Sequence, residues 1–103
     1  MADPMRIRAS ANGDVVEVKI LMRHDMETGQ RKDASGKVIP AHYIKTLTAK
    51  CKDKLVLDAQ FGPSVSKDPF LSFKFKGGAK GDKVAVTWID TKGDTRTDEG
   101  TIS

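Results

Sequence analysis

Apolar and polar residues alternate along this chain in short runs broken by turn residues, which is the pattern of half-buried β-strands. "MRIRAS" sets Met5, Ile7 and Ala9 on one face and Arg6, Arg8 and Ser10 on the other. After a turn at Asn12, Gly13 and Asp14, "VVEVKILM" sends Val16, Val18, Ile20 and Met22 inward and Glu17 and Lys19 outward. In "HYIKTLTAKC", Tyr43, Leu47, Ala49 and Cys51 share a face while Ile44, Thr46 and Thr48 share the other. "KDK" breaks that run and "LVLDAQ" follows. "FLSFKFK" points Leu71, Phe73 and Phe75 inward, "KVAVTWID" does the same with Val84, Val86 and Trp88, and "TRTDEGTIS" is a polar closing strand. About seven short strands without helical periodicity predict an all-β protein, an immunoglobulin-like antiparallel β-sandwich. A small barrel is the alternative. Trp88 is assigned to the core, since large aromatics dominate burial in so small a sandwich.

One stretch does not fit a plain hairpin. From Met22 to Ile44 the chain reads "MRHDMETGQRKDASGKVIPAHYI", a charged segment with Gly29 and Gly36 as turn points. Loops beyond about 12–15 residues in compact domains usually carry function or are disordered. Val38 and Ile39 are apolar, which a disordered tip would not need, and Pro40 holds Ile39 extended. The expectation is a loop that packs back on the sandwich and presents a surface.

Composition narrows the picture. With 103 residues there is room for one domain; residues 1–4 read as a disordered or cloning-derived start and 5–103 as the domain. No apolar run approaches the ~20 residues that span a bilayer. The start "MADPMRIRAS" carries no secretory signal pattern, which by itself points to the cytoplasm. Eighteen basic and 14 acidic residues leave a net charge of +4. The densest basic stretch holds Lys74, Lys76, Lys80 and Lys83, and alternation turns Lys74 and Lys76 to solvent, so no nucleic-acid face is expected. A single cysteine, Cys51, excludes an intrachain disulfide framework.

The chemistry-bearing residues are few. "KFKGGAKGDK" is glycine-rich but lies between strands and opens no helix, so it is a connection and not a phosphate loop. His24, Asp25, Asp33 and His42 are the metal candidates. A folded-back loop would have to gather them, and nothing in their spacing requires it; ordinary surface or loop-anchoring histidines and no metal are the expectation. Cys51 with His42 is the one conceivable nucleophilic pair, yet Cys51 shares a face with Leu47 and Ala49 and reads as a small buried hydrophobe. A thiol- or metal-dependent enzyme using Cys51, His24 and His42, and an independent β-sandwich ligand-binding module, stand as alternatives to a binding subunit without catalysis or cofactor.

At the long loop the sequence resembles a family. "HDMETGQRKDASGKVIPAHYI", together with "GPSVSKDPFLSFKF", "GDKVAVTWID" and "KGDTRTDEGTI", is similar to the signature segments of SoxZ, a subunit of the bacterial sulfur-oxidation (thiosulfate-oxidising) carrier. The resemblance runs from about Met5 to Ile102. It implies an immunoglobulin-like sandwich without catalysis, paired with SoxY, whose C-terminal Gly-Gly-Cys-Gly-Gly arm carries sulfur intermediates on its cysteine. It further implies transient docking with a c-type cytochrome, a dimanganese thiosulfohydrolase and a sulfane dehydrogenase. This sequence closes with "DEGTIS", which fits the Z subunit and not the Y subunit. The resemblance also implies a periplasmic protein, exported folded with its partner. Arg23, His24, Met26, Val38, Ile39, Pro40 and His42 of the loop, with Phe73 and Phe75, are the expected partner contacts.

Overall fold

β-Branched and aromatic residues at alternate positions make strands wherever turn residues let the chain reverse. The computed structural model describes residues 4–24, 26–62, 65 and 67–103. Seven strands form: β1 (Arg6–Asn12), β2 (Val15–Leu21), β3 (Ile44–Cys51), β4 (Lys54–Gln60), β5 (Phe70–Lys76), β6 (Lys83–Asp90) and β7 (Thr95–Thr101). They pair antiparallel in two sheets, one ordered β1-β2-β5 and the other β4-β3-β6-β7, an immunoglobulin-like sandwich. Among the described residues there is no helix. The expected start at residues 1–4 falls mostly on positions outside the described ones.

The core is the set that alternation assigned. Val16, Val18, Ile20 and Met22 from one sheet meet Leu47, Ala49, Val84, Val86 and Trp88 from the other, all at or near zero exposure. Leu71, Phe73 and Phe75 are only half-buried against them. One assignment fails. Ile44, expected on the outer face with Thr46 and Thr48, is fully buried. The β3–β6 register passes from Ile44–Asp90 to Thr46–Ile89, so Lys45 is an inserted residue, and such a bulge reverses the side-chain phase.

One flank of the sandwich is sealed. The Ser103 amide donates to the Ala9 carbonyl (2.9 Å), and the Ala11 amide donates to the Ser103 carbonyl (3.0 Å). Beside this seam β7 lies so near β1 that a Cβ at Gly100 would sit 2.6 Å from Ile7 Cγ2 and 3.2 Å from the Ile7 carbonyl oxygen. Gly100→Ala forces backbone apart as well as a methyl group. It is expected to lower stability by about 1–3 kcal/mol in urea titration, as overpacking does; an unchanged midpoint would show that the seam is loose.

Candidate functional site

The long segment between β2 and β3 is a two-stranded arm rising from a buried foot. At its base Glu27 and His42 exchange both backbone hydrogen bonds (2.6 and 2.9 Å). Further out Lys32 faces Val38, and the Ile39 amide donates to the Arg31 carbonyl (2.7 Å). Gly29, at φ 86°, lets the ribbon stay narrow, since a Cβ there would lie 3.1 Å from Ala41 Cβ. At the tip Asp33 Oδ1 accepts from the Ser35 amide, the Ser35 hydroxyl and the Lys37 amide (2.9, 2.7 and 3.1 Å). Those bonds hold the Asp33 carboxyl below its usual range, led by the Ser35 hydroxyl. Gly36 at φ 85° completes the reversal.

The arm does not pack back on the sandwich as expected. Residues 30–38 are all exposed, and Val38 keeps 55% of its surface in water. Eight-residue strands span roughly 25 Å, whereas the molecule measures 54 × 20 × 19 Å. The ribbon therefore stands out along the long axis. Its own hydrogen bonds satisfy the tip, so it has no need of the core as a template.

Both ends of the arm converge on a single carboxylate. Asp90 ends β6 with no solvent exposure, and its Oδ2 accepts from His24 Nε2 (3.1 Å) and His42 Nε2 (2.7 Å). Its Oδ1 accepts the amides of Lys92 and Asp94 (both 2.9 Å), fixing the β6–β7 turn. Burial pushes the Asp90 carboxyl up, but the bonds from His24, His42, Asp94 and Lys92 together hold it below the usual carboxylate range. The His24 ring stands edge-on to Trp88 (5.2 Å between centroids) and 4.5 Å from the His42 ring. His24 Nδ1 accepts the Met26 amide (3.1 Å), so the neutral ring carries its proton on Nε2, where Asp90 receives it. Met26 is buried at φ 53°, a left-handed conformation uncommon for a side chain of its size. Its sulfur accepts the Ile44 amide (3.3 Å).

This is a clasp made of hydrogen bonds. The ligand-capable atoms of His24, His42 and Asp90 lie within 4.8 Å of one another, close enough to suggest a metal centre. An ion on His24 Nε2 would need the proton on Nδ1, which would then face the Met26 N–H donor to donor. The ring is therefore wired to donate to Asp90. Of the other sequence candidates, Asp33 is at the exposed tip and Asp25 lies outside the described residues.

The remaining candidates are scattered. Arg23 and Pro40 are exposed, Ile39 is half-buried on the arm, and Phe73 and Phe75 sit on β5 with ring centroids 6.3 Å apart. Cys51 is 5% exposed, and burial followed by the nearby Asp82 pushes its thiol up. Eight strand residues, roughly 25 Å, separate it from His42, so the nucleophilic pair does not form. Sequence reasoning missed Asp90. The signal was present, because Val84, Val86, Trp88 and Asp90 share one parity and the charge falls on the buried face.

The profile of a family described as "Sulphur oxidation protein SoxZ" matches residues 5–101. Among curated proteins no relative matches the chain. Solved structures share its fold at low identity. A hypothetical protein from Pyrococcus horikoshii is 18% identical over 99% of this chain and 89% of its own, with a TM-score of 0.68. A variant of the superoxide reductase (neelaredoxin) of Archaeoglobus fulgidus gives 22% identity, 99% and 90% coverage, and a TM-score of 0.62. The superoxide reductase (neelaredoxin) of Ignicoccus hospitalis gives 12%, 99% and 82%, and 0.57. At such identities the likeness establishes the fold alone.

Proposed function

The chain belongs to the SoxZ family of sulphur oxidation proteins, and from this premise we propose that it is the non-catalytic subunit of a sulfur-carrier heterodimer. Its partner is a SoxY-type subunit whose terminal cysteine arm holds the sulfur intermediates of thiosulfate oxidation. The observation that carries this reading is the family match over residues 5–101. The geometry supports it. The buried Cys51 and the inward-wired histidines are poor chemistry, whereas a rigidly footed, exposed ribbon is suited to contact. A swinging cysteine needs a stiff body that enzymes can grip, and the arm offers them a shaped projection with Val38, Ile39 and Pro40 on it. The pair works in the periplasm, exported folded together, and docks in turn with a c-type cytochrome, a thiosulfohydrolase and a sulfane dehydrogenase.

Co-expression followed by purification through this chain tests the reading. The expected result is recovery of a protein ending in Gly-Gly-Cys-Gly-Gly, with intact-mass adducts on that protein after exposure to thiosulfate and the oxidising enzymes. A persistent adduct on Cys51, or no such partner, would overturn it.

A further inference from the structure

A sandwich of two open sheets has four free edges, and unprotected edges recruit other strands. Three of the four are managed here. The β1 edge is sealed by the backbone bonds of Ser103. The β7 edge lies against β1, with Gly100 closed on Ile7. The β4 edge is broken by a register shift at Ala49 and Lys50 of its neighbour β3. The fourth, β5, is guarded only by the exposed Lys74 and Lys76, with no covering segment and no bulge among the described residues. Its pairing with β2 runs unbroken from Val15–Lys76 to Leu21–Phe70, it contains no proline, and Phe70 at its start is 63% exposed.

The side chains beside this edge describe what fits it. Phe73 and Phe75, on β5, are half-buried against the core. At the far end of β5 a hollow of about 160 Å³ is lined by Val56, Phe75, Lys52, Lys54 and Lys76. Lys52 is paired with Asp82 (3.2 Å). Lys54 and Lys76 have no acidic partner among the described residues.

We propose that β5 is the seat of one edge strand of the partner subunit, added to the β1-β2-β5 sheet as a fourth strand. That strand alternates apolar side chains, which cover Phe73 and Phe75, with acidic ones that reach Lys54 and Lys76. Main-chain pairing supplies affinity and the lysine hollow sets register and choice of partner. This rests on the carrier reading above and leaves the exposed outer part of the arm free for the enzymes that visit the pair.

Hydrogen exchange on the full chain, alone and in the purified pair, tests the assignment. Amides of residues 70–76 are expected to gain at least about tenfold protection on pairing. Lys54→Glu combined with Lys76→Glu, both exposed positions, is expected to weaken the pair at least about tenfold at low salt while the thermal midpoint holds. The wild-type affinity should fall with added salt and the variant's should not. Exchange at 70–76 that is the same in pair and free chain would overturn the proposal and leave the carrier reading intact. Protection of 70–76 in the isolated chain at high concentration, with sedimentation as a dimer, would overturn it in favour of a second copy. A wild-type chain that binds no carrier subunit at all would sink the carrier reading itself.

Discussion

Asp90→Asn is expected to lower folding stability by about 3–5 kcal/mol, a large part of the 5–15 kcal/mol that a domain of this kind possesses. The carboxylate accepts four hydrogen bonds, two at each oxygen. An asparagine amide has one oxygen. If it keeps the Lys92 and Asp94 amides, its NH2 group meets the Nε2 proton of His24, whose tautomer the Met26 amide fixes, donor to donor. If it turns over, the β6–β7 turn loses its acceptor. Either way buried donors are left unsatisfied, and that is more damaging than the absence of the same bonds at a surface. Urea unfolding measures the loss, and a value under about 1 kcal/mol would mean that the clasp is loose in solution. His42→Ala should cost less, because His42 is half-exposed and water can replace it.

The same clasp sets an acid limit. The Asp90 pKa is depressed on folding, so its contribution is fully present above the unfolded carboxyl's ordinary value of about 3.9. It is lost as pH falls through the lower folded value. Stability curves of the wild type and of Asp90→Asn should therefore converge below about pH 4, read by urea titration at successive pH values. Parallel curves down to pH 2 would assign the acid sensitivity to other carboxylates, such as the half-buried Asp98, held down chiefly by Arg96.

Removing the outer part of the arm, residues 32–38, and joining its strands by an Asn-Gly turn should leave stability within about 0.5 kcal/mol of wild type. Every one of those residues is exposed and bonded only within the arm. Turnover of the reconstituted sulfur-oxidising system is expected to drop at least about tenfold, the effect of losing roughly 1.4 kcal/mol of contact energy. Unchanged turnover together with unchanged assembly would remove the arm from the function. Because foot and tip are held by separate hydrogen-bond sets, the deletion tests contact and not folding.

How far the sequence reveals this molecule depends on the range of the interaction. Alternation is a local rule, and it placed Val16, Val18, Ile20, Val84, Val86 and Trp88 correctly because each obeys its own neighbours. Ile44 escaped it, since whether Lys45 bulges is decided by the β6 strand opposite. Asp90 escaped for a related reason. Its parity put it inside, but an interior charge only makes sense once two histidines from the two ends of an arm are known to meet it. The arm's length and its apolar Val38 and Ile39 were legible as unusual. Its outward course was not, because the bonds that make it self-supporting, such as the three donors on Asp33, depend on a turn geometry that composition does not report. The fold was readable from pattern, and the likeness to SoxZ from whole segments; the clasp required coordinates.

The seam between Ser103 and Ala9 also bears on how the molecule is made. That contact joins positions 94 apart in sequence, and the clasp joins positions 66 and 48 apart. Closing such long intervals is an entropic search that precedes any reward, so folding should be slow for a chain of this size, in the millisecond-to-second range. During synthesis the apolar face of the first hairpin waits for β3 and β6, and its edge stays open until residues 102 and 103 have emerged. The arm acquires its direction only when β6 arrives with Asp90. A nascent chain thus has the ribbon before it has the anchor, and the direction of the exposed arm is among the last features to become fixed.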